Sequence, residues 1–239
     1  MGIGTRLRLA RVMFVTDERP AAEIEDLVDA ALAGGADIVE YKAPGVRERE
    51  RLTVLERLRT VAQRYQALLC VAGDPGRFDA DVVHLGDAGD AARVKKGLHE
   101  WAVIGRSCNS AAEIDAALAD EAIDFLVVGP GLDHLRHAAA KAPQDDPASK
   151  PWFAAGGVTA GTLDIVWQAG ARRVAVSRAI AAASDPEQAA HDLKERLREA
   201  WNEDPAMEKV TMAAFGTKGG PVAGGFSGGI LPPSDGLRI

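Results

Sequence analysis

The chain has 239 residues and is 47% hydrophobic, which is enough for a single domain with a sizeable core. Its formal net charge of −7 excludes a basic surface field, so we expect neither nucleic acid nor an anionic membrane as a partner. Two cysteines make neither a disulfide framework nor a zinc-binding spacing, and no apolar segment has the length of a membrane span. These features predict a reduced, cytoplasmic setting.

Short apolar runs alternate with amphipathic stretches from residue 12 onwards, after an N-terminal extension over residues 1–11. Ala21–Ala33 and Glu48–Tyr65 each place their apolar residues on one helical stripe. The alternation is typical of an α/β chain and predicts a (β/α)8 barrel, or TIM barrel, over residues 12–205. The eight strand candidates are Val12–Thr16, Asp37–Tyr41, Ala67–Val71, Asp81–Leu85, Trp101–Ile104, Asp124–Val128, Trp152–Ala155 and Arg173–Ser177.

Two segments depart from this rhythm. The connection between strands 3 and 4 has only the residues Ala72–Ala80, with an Asp-Pro-Gly turn beginning at Asp74. We therefore predict a shortened connection without a full helix. Residues 206–239 are predicted to be a flexible, disordered tail, because their Gly- and Pro-rich sequence after Thr217 buries too little apolar surface to offset its backbone entropy.

The ends of strands 7 and 8 carry the features of a phosphate site. Gly156 and Gly157 follow strand 7, and backbone N–H groups can approach a ligand closely where no Cβ intervenes. Ser177 ends strand 8 and can cap a short helix. Loops after strands 7 and 8 commonly bind phosphate in TIM barrels, so we favour a phosphate site over plain turns and caps.

Charged residues follow strands 2, 3 and 4. Glu40 and Lys42 share one face of strand 2, where they form either an internal ion pair or, through Lys42, an anchor for an anion. Asp74 and Asp90 stand after strands 3 and 4 with Asp87 nearby, and such carboxylates can hold Mg²⁺. The alternative is structural: Asp74 begins a turn, and Asp90 caps the next helix.

Loop 6 holds His134, Arg136 and His137. The histidines could act as acid or base near neutral pH, or they could lie on a solvated helical turn. The sequence contains no Ser/His/Asp triad spacing, no Walker loop and no dinucleotide-binding fingerprint.

Five motifs occur in the order found in thiamine-phosphate synthases, and the chain resembles this family from about residue 12 to residue 197. Lys150-Pro151-Trp152-Phe153-Ala154 is similar to the actinobacterial branch, and the thiazole tautomerases are close relatives. The five motifs are Val83-His84-Leu85-Gly86, Ile104-Gly105-Arg106-Ser107, Val128-Gly129-Pro130, Ala155-Gly156-Gly157-Val158 and Val176-Ser177-Arg178-Ala179-Ile180.

The resemblance implies a transferase of thiamine biosynthesis, which joins a hydroxymethylpyrimidine diphosphate to a thiazole phosphate with Mg²⁺ and releases pyrophosphate. It assigns three groups of residues and two catalytic candidates, Lys42 and His137. The thiazole phosphate is assigned to Gly156, Gly157, Val176 and Ser177; the pyrimidine and diphosphate side to Glu40, Lys42, Ser107, Asn109 and Arg136; and the metal to Asp74 and Asp90.

The diphosphate side departs from the family pattern. Glu40 stands where the family has a glutamine, so we expect it to repel the diphosphate and to impair activity. Two alternatives stay open: a tautomerase-type isomerase, in which His134 would supply the base, and a non-catalytic barrel that binds phosphorylated ligands. In each case the partners are small phosphorylated heterocycles, and a homo-oligomer is compatible with the sequence.

Overall fold

The strands close into one parallel barrel. A computed structural model describes residues 1–87 and 89–216, and its eight strands pair in chain order with β8 returning to β1. This arrangement confirms the predicted (β/α)8 fold. The strands are β1 (Val12–Val15), β2 (Ile38–Tyr41), β3 (Leu68–Ala72), β4 (Val82–Leu85), β5 (Val103–Cys108), β6 (Phe125–Val128), β7 (Trp152–Ala154) and β8 (Val174–Val176).

Helices surround the barrel and also cover its amino-terminal end. None of those in the described residues is long and apolar enough to cross a membrane. The helices are α1 (Ile3–Leu9), α2 (Ala21–Ala33), α3 (Glu48–Arg64), α4 (Ala91–Lys95), α5 (Ala111–Ala119), α6 (Leu132–Lys141), α7 (Leu163–Gln168, after a 3₁₀ turn at Ala160–Thr162), α8 (Arg178–Ala181), α9 (Pro186–Glu203) and α10 (Ala206–Gly216).

The barrel interior is filled by alternate strand residues, as a period of two requires. Phe125 and Phe153 meet edge to face inside it, with 6.0 Å between ring centroids. Gly105 makes room for Phe125, because a Cβ at Gly105 would lie 2.2 Å from that ring. The buried interior residues are Met13, Ile38, Leu68, Cys70, Val82, Val103, Phe125, Val127, Phe153 and Ala175.

Strand β5 differs from its prediction. It covers Val103–Cys108 instead of Trp101–Ile104, and Trp101 is 47% exposed outside it. The predicted strand ended at Ile104 because the continuous run of apolar residues ends there, and Gly105 and two polar residues follow. Pairing with both β4 and β6 nevertheless keeps these residues in the sheet.

The connection between β3 and β4 contains no helix in its described residues 73–81, which confirms the shortened crossover. The carboxylate of Asp74 accepts a hydrogen bond from the Gly76 N–H at 2.9 Å, so the Asp-Pro-Gly turn forms as expected. Phe78 of this connection is 4% exposed and packs into the hydrophobic core. The Arg59 guanidinium lies 4.2 Å from its ring centroid.

The amino-terminal end of the barrel is closed by segments that the sequence predictions left outside it. Leu7 of α1 packs into the interior cluster, so residues 1–11 are part of the barrel's base. The prediction of a flexible tail from residue 206 is wrong for residues 206–216, which form α10. Met207 and Val210 of α10 are buried against Trp201 of α9 because they repeat at helical spacing. Residues 217–239 lie outside the described residues.

Candidate functional site

The loops after β7 and β8 form one half of the barrel mouth, which we call the β7–β8 half. Gly156 has φ +90° and Gly157 has φ +74°, a backbone conformation that favours glycine. A Cβ at Gly156 would lie 2.8 Å from Cβ of Pro130, whereas a Cβ at Gly157 would meet nothing within 4 Å. Gly156 therefore packs against loop 6, and Gly157 faces open space.

Ser177 completes the β7–β8 half. It is the N-cap residue of α8, and its side chain makes no capping hydrogen bond. Its neighbour Val176 is buried in β8. At Thr159, by contrast, the side chains of Thr159 and Thr162 form a reciprocal capping box at the start of the 3₁₀ turn. Helix N-termini carry unsatisfied N–H groups, so these two loops can offer backbone donors to a phosphate.

Arg19 connects the loop after β1 to this half. Arg19 binds the two carboxylate oxygens of Asp17 at 2.7 and 2.8 Å and donates to the carbonyl of Ala181 at 2.9 Å. The hydrogen bond from Arg19 is the main cause that lowers the pKa of Asp17. Arg19 therefore fixes the last residue of α8, one helical turn away from the N-cap residue Ser177.

A chain of hydrogen bonds crosses the interior on the opposite side of the mouth, which we call the β2–β5 half. Nδ1 of His84 lies 2.8 Å from Oε2 of Glu40, and Nε2 of His84 lies 3.0 Å from Oγ of Ser107. Side-chain exposure is 4% for Glu40 and 10% for His84, and Ser107 is half-buried. The three residues come from β2, β4 and β5, and His84 is the one that was not among the predicted site residues.

The surroundings of this chain are apolar. The ring of Phe125 lies 6.3 Å from that of His84, and Cys70 lies beside Glu40 in the register of β2 and β3. Burial, followed by the charge of Glu40, raises the pKa of the Cys70 thiol. The signal for His84 was available in the sequence: a histidine at an inward position of a buried strand needs a polar partner.

The structure does not show the internal ion pair between Glu40 and Lys42, which was one of the two alternatives that the sequence left open. The carboxylate of Glu40 is committed to His84, while Lys42 is exposed and its side chain makes no ion pair within the described residues. The backbone N–H of Lys42 donates to Thr16 Oγ1 at 3.0 Å, which fixes the end of β2. Lys42 therefore leaves its ammonium group available to an anion, and Glu40 lies inside the barrel rather than on its rim.

The two predicted metal ligands are occupied by structural contacts. Arg93 donates to Asp74 at 2.7 Å, and the N–H of Arg93 donates to the N-cap residue Asp90 at 2.9 Å. The hydrogen bond from the Gly76 N–H, then that from Arg93, lowers the pKa of Asp74. No group of three or more His, Cys, Asp or Glu side chains among the described residues could hold a metal ion. In this arrangement the donor set does not fit Mg²⁺.

Arginines line the rim outside β2 and β3. Arg47 and Arg49 line a cavity of about 350 Å³ together with Glu50 and Thr53 at the start of α3. Arg51 donates to the carbonyl of Asp74 at 3.0 Å. Glu48 and Glu50 alternate with these arginines, so the start of α3 carries charges of both signs.

His134 and His137, which were predicted in loop 6, lie on helix α6 and have different surroundings. Nε2 of His137 lies 2.9 Å from the carboxylate of Asp115 on α5, so His137 lies between two outer helices, and its predicted catalytic role is not supported. Arg136 pairs with Asp133 on the surface of α6 instead of pointing to a diphosphate site. Nδ1 of His134 lies 2.7 Å from the carbonyl of Pro130 in the first turn of α6.

Asn109 stands at the start of α5, two residues after Ser107. Its N–H donates to Glu113 at 2.7 Å, and Ser110 caps the helix by accepting from the Glu113 N–H at 3.2 Å. The side chain of Asn109 is exposed. The structure therefore brings Glu40, Ser107 and the unpredicted His84 together, whereas Asn109 contacts Glu113 of α5.

Comparison with known proteins fits this geometry. The family model for thiamine monophosphate synthase matches residues 12–180. A thiamine-phosphate synthase of Streptomyces avermitilis is 40% identical over 216 residues, covering 82% of this chain and 97% of that protein. The thiamine-phosphate synthase of Thermobifida fusca is 39% identical over 80% of this chain and 94% of that protein.

A solved structure supports the same assignment. A thiamine phosphate pyrophosphorylase from Pyrococcus furiosus superposes with a TM-score of 0.70 at 25% identity, covering 81% of this chain and 98% of that one. The resemblance to an actinobacterial-type member is thereby confirmed. The chain belongs to the thiamine monophosphate synthase family.

Proposed function

We propose that this protein is a thiamine-phosphate synthase, which joins a hydroxymethylpyrimidine diphosphate to a thiazole phosphate and releases pyrophosphate. Relatives of that name match nearly their whole length to this chain. The observation that carries the proposal is the pair of loops after β7 and β8, where Gly157 and Ser177 offer backbone donors beside open space. The thiazole phosphate binds there.

The diphosphate binds on the β2–β5 half. Lys42 has an ammonium group without an ion-pair partner among the described residues, and Arg47 and Arg49 follow it in the segment that leads into α3. Cations at these positions neutralise the negative charge that collects on a diphosphate when it leaves. Glu40 lies inside the barrel, where its carboxylate contacts His84 at 2.8 Å instead of standing on the rim.

Magnesium stays a prediction from the resemblance. Asp74 and Asp90 are engaged with Arg93 and with local backbone, so we derive no step through a metal ion. The predicted cytoplasmic location and a homo-oligomeric state also stay predictions. The isomerase alternative would need His134 as its base; Nδ1 of His134 donates to the Pro130 carbonyl, so Nε2 would have to take the proton.

A turnover assay tests the proposal. The purified protein is incubated with both substrates, with each substrate alone, and with or without Mg²⁺, while thiamine phosphate and pyrophosphate are quantified. We expect both products in equal amounts only when both substrates are present. Binding of the thiazole phosphate without any product would instead support the non-catalytic barrel. The Mg²⁺ arms show separately whether a metal ion is required.

A further inference from the structure

The peptide unit between Gly157 and Val158 has one hydrogen-bonding group that is held and one that is free. The Thr162 hydroxyl lies 3.3 Å from the Gly157 carbonyl oxygen, and no other group in residues 1–87 and 89–216 donates to that oxygen. The Val158 N–H donates to no acceptor within the same residues, although Val158 is only 6% exposed. A backbone N–H in a buried position requires an acceptor, so this one points to a ligand.

The Thr162 hydroxyl has one hydrogen and two carbonyl oxygens within reach, those of Gly157 and Thr159, both at 3.3 Å. The Thr159 carbonyl already accepts from the Thr162 N–H at 3.1 Å. The lone pairs of the Thr162 hydroxyl accept from the Thr159 N–H at 2.9 Å and face the Thr159 hydroxyl at 3.4 Å. The hydrogen of Thr162 therefore serves the Gly157 carbonyl, which otherwise lacks a donor.

The turn that carries Thr162 is held from the outside as well. Arg196 of α9 donates to the Ala160 carbonyl in the middle of this turn. On the other side, the side chain of Val158 packs in the main core cluster. Gly157 is thus a flexible joint between two anchored segments, because a glycine has a wide choice of backbone angles. The contact with Thr162 removes that freedom.

The bond between Gly157 and Val158 is a trans peptide, in which the C=O and the N–H point in opposite directions. Holding the Gly157 carbonyl on Thr162 therefore directs the Val158 N–H away from Thr162. We propose that Thr162 is a positioning residue, whose hydroxyl fixes this peptide unit so that the Val158 N–H donates to a phosphate oxygen of the ligand. The inference rests on the proposed function only in taking that ligand to be a phosphate; the contacts of Thr162 do not depend on turnover.

Nuclear magnetic resonance of ¹³C,¹⁵N-labelled, ligand-free protein tests the contact. A hydrogen bond to a carbonyl oxygen changes the ¹³C shift of that carbonyl, so Thr162→Val should move the Gly157 signal and Thr162→Ser should retain it. Thr60→Val is the control, because the Thr60 hydroxyl donates to the Glu56 carbonyl at 3.2 Å on α3. It should leave the Gly157 signal in place. An unchanged Gly157 signal in Thr162→Val would overturn the proposal.

Inorganic phosphate is the probe for the free N–H. Titrated into the unmodified protein, it should shift the amide signal of Val158. Phosphate should bind about five-fold more weakly to Thr162→Val, the difference expected for one ordinary hydrogen bond. Thr162→Ser should restore most of the affinity. A Val158 amide signal that does not respond to phosphate would contradict the proposal.

Kinetics separate positioning from a purely structural role. Thr162→Val should raise KM for the thiazole phosphate about five-fold and leave KM for the pyrimidine diphosphate unchanged. Thr159→Ala removes the other side chain of the same capping box, whose hydroxyl contacts Thr162 and not the Gly157 carbonyl. It should lower the thermal stability to a similar extent but raise KM less. Equal rises in KM would mean that loss of the turn, not of the Gly157 contact, is the cause.

The proposed function and the role of Thr162 fail in different ways. If the carbonyl shift and the phosphate response are found but no thiamine phosphate forms, the proposed function is wrong and the role of Thr162 stands. If product forms and Thr162→Val leaves KM for the thiazole phosphate unaltered, the synthase activity stands and the role of Thr162 is wrong.

Discussion

The two halves of the barrel mouth present different chemical groups to a ligand. The β7–β8 half presents backbone, with Gly157 in a left-handed conformation facing open space. The β2–β5 half presents side chains, with Glu40, His84 and Ser107 connected by two hydrogen bonds. A backbone site needs only a suitable local conformation, whereas a side-chain site needs partners from several strands. The β7–β8 half can therefore be predicted from a short stretch of sequence. The β2–β5 half cannot, because its contacts depend on how distant strands pair.

The largest expected effect is at Gly157. Gly157→Val places a branched side chain in the open space of the β7–β8 half and strains a backbone with φ +74°. We expect the thiazole phosphate to bind at least about ten-fold more weakly by calorimetry. Gly73→Val is the matched control, because Gly73 has φ +77° and equally open surroundings at the end of β3. Equal losses in both variants would mean that strain, not contact, explains the effect.

The next largest effect is expected at Lys42, whose ammonium group lies in the β2–β5 half. Lys42→Ala should raise KM for the pyrimidine diphosphate by about ten-fold at low ionic strength and by less in high salt, because exposed charges are screened. Affinity for the thiazole phosphate should stay nearly unchanged. Lys141→Ala removes an equally exposed lysine from α6 and should alter neither constant. A KM for the diphosphate that is insensitive to Lys42→Ala would place that substrate elsewhere.

Arg19 supports the β7–β8 half indirectly. Arg19→Ala removes the hydrogen bond to the Ala181 carbonyl and frees the C-terminal end of α8, the one-turn helix that Ser177 begins. We expect binding of the thiazole phosphate to weaken about three-fold, a loss of less than 1 kcal/mol. Arg49→Ala, in the cavity of the other half, should not change that affinity. Calorimetry at one ionic strength compares the two variants directly.

The smallest expected effect is the pH dependence of the same ion pair. The pKa of Asp17 is lowered, chiefly by the hydrogen bond from Arg19, so the folded state favours the carboxylate. Its stabilisation is complete above the usual carboxyl pKa of about 4 and is lost as the pH falls through the lowered value. Since the side chains are 24% and 36% exposed, the contribution should be below about 1 kcal/mol.

Urea unfolding at pH 7 and pH 3 checks this contribution. Asp17→Asn should reduce the loss of unfolding free energy between the two pH values, because the asparagine does not titrate. A loss of the same size in Asp17→Asn and in the unmodified protein would show that other carboxylates carry the acid sensitivity.

The β7–β8 half was predictable because its information is local. Gly156 and Gly157 directly follow an apolar run, and barrel topology places that run beside Ser177. The Glu40–His84 contact spans 44 positions and the His84–Ser107 contact spans 23. Strand alternation places Glu40 inside the barrel, but only the register of β2, β3 and β4 determines which polar residue it meets. The sequence therefore left the partner of Glu40 open, with Lys42 as one of two alternatives.

Other errors have similar causes. His137 follows the strand-6 loop in sequence, but one further helical turn carries it to the outer layer, where Asp115 meets it. Helix α10 was not predicted, because the disorder expected from the Gly- and Pro-rich composition after Thr217 was extended back to residue 206. The apolar spacing of Met207 and Val210 was sufficient to predict a helix there.

Crossed calorimetry tests most directly the central claim that the two halves hold different substrates. The thiazole phosphate and the pyrimidine diphosphate are each titrated into Gly157→Val and into Lys42→Ala. Gly157→Val should lower the affinity for the thiazole phosphate alone, by about ten-fold. Lys42→Ala should lower the affinity for the pyrimidine diphosphate alone, by the same factor. If both variants weaken the same ligand, or each weakens both equally, the mouth is one undivided site and the account is wrong.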